Sequence, residues 1–245
     1  MTQSMKSDDE FLSKLHHAIK ENSIASVKSL ITNYHNVGNT NIISNHNFSK
    51  LLILAIKKSN LEIIQYLCST FKFDINQVIA FGGITVFMIA VESASYEVVE
   101  YLYNTFKSTI DLSKKGLFDS TLFSIATYNP NVEVLEYLTT ILINKSVIKP
   151  QINEINNVFI VAAQNKNVKV IQYLYNKFKA KINVNARNMW GDTAFMIALQ
   201  KNNLEVQRYL CDTFEDQIDI NTQNEDGNTT FMLAALYSNL EIIQY

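Results

Sequence analysis

The sequence predicts an all-α fold, a solenoid of stacked helix-turn-helix units joined by short hairpin loops. Three observations predict it: a near-constant internal period, apolar residues at helical spacing inside each period, and a shortage of turn-forming residues. Ala55, Ala90, Ala126, Ala162, Ala198 and Ala234 are separated by 35 and then four times by 36 residues. Eleven residues after each alanine stands a tyrosine: Tyr66, Tyr101, Tyr137, Tyr173, Tyr209 and Tyr245. Three residues before each stands Leu52, then Phe87, Phe123, Phe159, Phe195 and Phe231. Three linked positions recurring six times specify a repeat architecture rather than a biased composition. Two prolines and six glycines in 245 residues leave too few punctuating residues for a β-rich fold.

Each unit accommodates two helices. The first carries the alanine, whose small side chain lets neighbouring helices approach closely. The second is typified by Leu61-Glu-Ile-Ile-Gln-Tyr-Leu, with Ile64, Leu67 and Phe71 at i, i+3 and i+7 on one helical face. Val99, Leu102 and Phe106 repeat that face, as do Ile171, Leu174 and Phe178. A helix pair this short cannot bury its apolar face alone and must stack on the next pair. Before the first helix, Gly191-Asp-Thr193 and Gly227-Asn-Thr229 predict a glycine turn followed by a threonine N-cap. After the second helix, Ile182-Asn-Val-Asn and Ile218-Asp-Ile-Asn predict turns rather than sheet strands.

These residues set the organisation expected of the chain. Residues 1–245 form one domain of about seven units, 10–44, 45–79, 80–115, 116–151, 152–187, 188–223 and 224–245. The first is degenerate, and its charged, serine-containing face suits a terminal cap. The fourth, with Pro150 and the irregular stretch 141–152, is expected to carry a distorted loop. The last stops at Tyr245 inside a second helix, so the chain is expected to be a piece of something longer.

The stretch Gly-Asn-Thr-Thr-Phe-Met-Leu-Ala-Ala at 227–235, followed by Asn-Leu-Glu-Ile-Ile at 239–243, resembles the ankyrin repeat. That family reads Gly-x-Thr-Pro-Leu-His-x-Ala-Ala, then Gly-His-Leu-Glu-Val-Val; Ile218-Asp-Ile-Asn looks like its hairpin segment. The departures are a Phe in place of the family's Leu, the missing Pro, a His retained only at His16, and a period of 36. The added residues fall after the second helix, where Phe71, Phe106, Phe178 and Phe214 keep helical spacing. Outer helices about one turn longer than the family's are therefore expected.

Composition excludes several functions. Hydrophobic residues make up 47% and charged residues 18%, values of a folded chain. A net charge of −2 gives no bulk attraction to nucleic acid or to an anionic membrane, and neither is expected as a partner. The longest apolar run, Leu51 to Ile56, is far short of a membrane helix, and the charged start MTQSMKSDDEF lacks a signal-peptide core. A cytoplasmic or nuclear location is expected. Cys68 and Cys211 lie four repeats apart and suit neither a disulfide nor a metal site. His16 and His17 are adjacent and diverge by about 100° on a helix. The Gly82-Gly83 doublet lacks the Lys-Ser/Thr of a phosphate loop. Glu62, Glu97, Glu133, Glu205 and Glu241 stand in the first turn of the second helices, where carboxylates favour the helix dipole. No acid, base and nucleophile converge, so neither enzyme activity, a cofactor, a metal nor a small-molecule substrate is expected.

The hairpin tips and the inner-helix surface carry residues that no core requires. By resemblance, ankyrin proteins hold protein partners on this concave side. The candidate contact residues are Phe81, Leu117, Phe118, Met189, Trp190, Glu225 and Asp226 at the tips, and Tyr128, Lys201 and Tyr237 on the inner helices. Apolar pairs on a turn have no core to fill, and Trp is a favoured interface anchor. The resemblance thus implies a monomeric, non-catalytic scaffold for an unknown protein partner. The alternative is the recognition arm of a larger enzyme, such as a kinase or ubiquitin ligase, with its catalytic part beyond residue 245.

Overall fold

A computed structural model describes residues 3–36, 45–146 and 152–237 of the chain. The side chains it describes are those of 10–34, 47–146 and 152–237. Pro150, the second-helix motif from Leu240 and Tyr245 lie outside the described residues. The chain divides into two compact units, residues 1–120 and 121–245.

The first unit holds α1 (Gln3–Lys20), α2 (Ile24–Asn36), α3 (Asn45–Lys57), α4 (Leu61–Thr70), α5 (Val86–Ser93) and α6 (Tyr96–Phe106), with strands β1 (Val78–Ala80) and β2 (Ile84–Thr85) before α5. Helix α1 packs on α3 and α3 on α5, an inner row; α2 packs on α4 and α4 on α6, an outer row. The second unit has the same arrangement. Its inner row is α7 (Leu122–Ala126), α9 (Ile152–Ala162), α11 (Ala194–Gln200) and α13 (Thr230–Tyr237). Its outer row is α8 (Val132–Asn144), α10 (Val168–Phe178) and α12 (Leu204–Phe214). The all-α repeat fold stands as the sequence predicts.

The repeat positions explain the packing. Ala55, Ala90, Ala126, Ala162 and Ala198 are each 0% exposed, so a larger side chain would have to part the inner helices. Phe87, Phe123, Phe159 and Phe195 are buried between rows, each removing enough apolar area to stabilise the stack by about 2–3 kcal/mol. The outer helices answer with aromatic rings: Phe178 meets Phe123 edge-on at 5.9 Å and Phe214 meets Phe159 at 6.2 Å, one repeat later in each case. Such edge-to-face pairs add to area burial and fix register.

Threonine caps begin the inner helices. Thr85 accepts from the Met88 N–H, Thr121 from Ser124, Thr193 from Met196 and Thr229 from Met232. The outer helices α6, α10 and α12 run through Phe106, Phe178 and Phe214, in line with the expected extension. Helix α4 stops one residue short. Phe71 is extended, and it and Phe73 flank the Phe48 ring at 5.3 and 4.9 Å. In the fourth repeat α8 continues to Asn144, with Leu142 buried where its neighbours place Phe178 and Phe214. The hairpins differ slightly from the expectation of turns alone: β1 and β2 pair antiparallel, and Gln223 bridges Thr229.

Candidate functional site

Each hairpin tip is a tight turn that needs a left-handed backbone. Gly83, Gly191 and Gly227 have φ of 79°, 77° and 78°, a region glycine enters without a Cβ penalty. In the tip of the fourth repeat the same position is Asp119, φ 59°, preceded by Phe118 at φ 54°. Two consecutive non-glycine residues in this region are costly and leave the Phe118 ring 81% exposed.

Neighbouring tips lock together. In the first unit, a Cβ on Gly82 would lie 2.5 Å from Leu117 Cδ1, and one on Gly83 would lie 2.6 Å from the Lys115 carbonyl oxygen. Glycine is favoured at 82 by a φ of 84° and by Leu117, whose Cα and Cβ would lie 3.2 Å from an added Cβ. In the second unit the Glu225 N–H donates to the Trp190 carbonyl at 2.9 Å. Arg187 Nε donates to the Gly191 carbonyl at 3.1 Å, while its Nη2 reaches Glu225 Oε1 at 3.4 Å.

The structure places the candidate contact residues as follows. Phe81, 93% exposed, crowns the β1–β2 turn. Leu117 and Phe118 crown the next tip, Leu117 lying against Gly82. Met189 and Trp190 are exposed on the tip before α11, and Glu225 and Asp226 on the tip before α13. Tyr128 is exposed just past α7, Lys201 caps the C-terminus of α11, and Tyr237 is exposed at the end of α13. The tips are thus brought together in neighbouring pairs, Gly82 and Gly83 with Leu117 and Lys115, and 187–191 with 224–225.

Three further kinds of residue take part that the sequence reading did not single out. Asn188 and Asn224 organise their tips identically. The Asn188 Oδ1 accepts from the Trp190 and Asp192 N–H groups at 2.9 Å each. Asn224 Oδ1 accepts from Asp226 and Asn228 at 3.1 and 3.0 Å. Their spacing of 36, the repeat period itself, was the available signal. Arg187 is the second kind, and Val78 and Ile220, exposed apolar residues at the bases of the hairpins, are the third.

The remaining chemistry is quiet. Burial pushes the Cys68 thiol up to about 12 and the Cys211 thiol to about 11, so neither is a nucleophile at neutral pH. Among the described residues, no group of three or more His, Cys, Asp or Glu side chains could hold a metal, and no helix is long and apolar enough to cross a membrane. His16 and His17 are exposed on α1.

Stacked helical hairpins with projecting turns define a helical-repeat protein. A family model for ankyrin repeats matches residues 15–115 and 159–245 in three copies, and the chain belongs to the ankyrin repeat family. No curated protein matches it. Among solved structures it is similar to the ankyrin repeat domain of Bcl-3, a member of the IkappaB protein family. The TM-score is 0.51 at 20% identity, covering 94% of this chain and 96% of that one. It is also similar to a chain in the complex of the predatory endopeptidase Bd0816 from Bdellovibrio bacteriovorus with the immunity protein Bd3460. There the TM-score is 0.54 at 20% identity, covering 79% of this chain and 94% of that one. At this identity the likeness is one of fold. Ankyrin repeats are generally protein–protein interaction modules.

Proposed function

We propose that the chain is a non-catalytic scaffold, acting as a monomer in the cytoplasm or nucleus, that holds a protein partner along its hairpin tips and inner helices. The observation that carries this reading is the tip at Met189 and Trp190. Asn188 and Gly191 fix the turn, the next tip ties down the Trp190 carbonyl, and the indole stays 56% exposed. A large aromatic held rigidly away from any core loses little entropy on binding, the property of an interface anchor. Phe81 and Phe118 present the same chemistry on tips of the first unit.

Affinity capture tests the reading with wild type, Trp190→Ala and Phe118→Ala side by side, folding being checked by circular dichroism. A specific partner retained by wild type and lost from the tip variants is the expected result. Equal capture of every partner by all three proteins would remove these tips from the binding surface.

A further inference from the structure

Charge is segregated along the second unit in a way the repeat does not require. Between Glu154 and Asp192 the chain carries Lys166, Lys169, Lys177, Lys179, Lys181 and Arg187 and no acidic residue. All six are exposed. The same region departs from a rule kept by its neighbours. Helices α4, α6, α8 and α12 carry Glu62, Glu97, Glu133 and Glu205 in the first turn, and α10 has no acid there, with Lys169 at the corresponding position. A cation beside the positive end of a helix dipole is unfavourable locally, so it marks a position not chosen for the helix's own stability.

The lysines lie on the solvent side of α10 and its continuation. Val170, Ile171, Leu174 and Phe178 face the core, which puts Lys169 and Lys177 outward, followed by Lys179 and Lys181 in a 3-10 turn. Neither Lys169 nor Lys177 reaches a carboxylate within ion-pair distance among the described residues. The stripe is fenced. Helix α8 on one side exposes Glu133 and Glu136, with Lys145 only at its C-terminal end, and α12 on the other exposes Glu205 and Asp212 with Arg208 between them. Packed helices lie about 8–10 Å apart, so the cationic strip is one helix wide between two rows that each expose two carboxylates.

We propose that this strip is a docking surface for a short acidic polypeptide segment, separate from the tip surface and independent of the reading given above. The width selects the occupant. A membrane or a nucleic-acid duplex would run over the carboxylates on both sides, whereas one extended chain fits between them. Single-stranded nucleic acid needs open aromatic faces; Tyr173, between Lys169 and Lys177, is half-buried, and Tyr175 is engaged with Tyr209, Phe214 and the Lys179 ammonium. Helix α10, of 11 residues at about 1.5 Å each, and the three-residue turn at about 2 Å each give about 22 Å, the length of about six extended residues.

Fluorescence anisotropy of a fluorescein-labelled hexaglutamate peptide against the full chain tests the proposal. Wild type is expected to bind at about 0.05 M salt and to weaken as salt rises to about 0.3 M. Lys169→Glu/Lys177→Glu/Lys179→Glu is expected to weaken binding at least about tenfold. Lys20→Glu/Lys50→Glu/Lys72→Glu, an equal charge change in the first unit, is expected to leave it within about twofold. Lys169→Glu alone places there the residue that α4, α6, α8 and α12 carry, so it is expected to fold at least as well as wild type and still bind about two- to threefold more weakly. The proposal is overturned if wild type does not bind the peptide, or if the strip and first-unit variants weaken binding equally. It is equally overturned if a hexathymidine oligonucleotide or a phosphatidylserine vesicle binds the strip more tightly than the peptide.

Discussion

The side-chain amide of Asn203 donates to the backbone carbonyl of Asn165 at 2.6 Å, one repeat earlier, and to that of Ala163 at 3.3 Å. Asn165 does the same one repeat further back, donating to Thr127 and Asn129 at 2.6 and 3.1 Å. A second set of staples joins the hairpin bases. Asn185 donates to the Gln217 carbonyl and accepts from the Asp219 N–H, and Asn76 treats Thr109 and Asp111 likewise. The turns between helices end orphan carbonyls at each layer, and asparagine, with a donor and an acceptor on one short side chain, satisfies them from the next layer. Asn76, Asn165, Asn185 and Asn203 thus have a structural role that joins one repeat to the next.

Removing the staple is expected to be costly because Asn203 is buried. Asn203→Ala should destabilise by about 1–3 kcal/mol through unsatisfied carbonyls, and Asn203→Asp by more, since it sets an acceptor against two acceptors. Urea unfolding measures both. An Asp variant as stable as wild type would show that the contact contributes nothing.

Gly82→Ala combines a left-handed backbone, φ 84°, with a contact on Leu117. The backbone alone costs about 1–2 kcal/mol. Leu117→Ala should relieve part of the loss, giving a double variant more stable than the sum of the single changes predicts. Strict additivity would separate the two tips.

At Asp119 the opposite change should help. Asp119→Gly places glycine where Gly83, Gly191 and Gly227 already stand, and is expected to stabilise by about 1 kcal/mol in urea unfolding. If tip rigidity matters to binding, the same variant keeps Phe118 but loosens its presentation, so partner affinity should fall while stability rises.

The raised thiol of Cys68 gives a signed pH dependence. Burial disfavours its thiolate in the folded protein, at about 12 against an ordinary value near 8.5–9. The folded state therefore holds its proton where the unfolded state loses it, so this stabilisation is intact below about pH 8.5 and declines as pH rises above it. Cys68→Ser should flatten the alkaline limb of stability against pH. Alkylation of native protein at pH 8 should be at least about a hundredfold slower than of unfolded chain, and rapid native labelling would contradict the burial.

The repeat, the buried alanine and phenylalanine positions, and the glycine turns with threonine caps at 191–193 and 227–229 are legible in the sequence alone. Each follows from a local rule acting once per period: the alanine and the phenylalanine or leucine recur six times, the capping threonine four times and the tip glycine three times. It also marked the tips as exposed, because Met189 and Trp190 lie in a turn with no helical face to join. Tertiary structure decided what depends on two repeats at once. Tight contact of Gly82 with Leu117, the reach of Arg187 to Glu225, and the hold of Asn203 on Asn165 are contacts across about one period, which no local pattern encodes. The early end of α4 is of the same kind: Phe71 has the spacing to continue the helix, but the Phe48 ring is a better neighbour than the next helical turn.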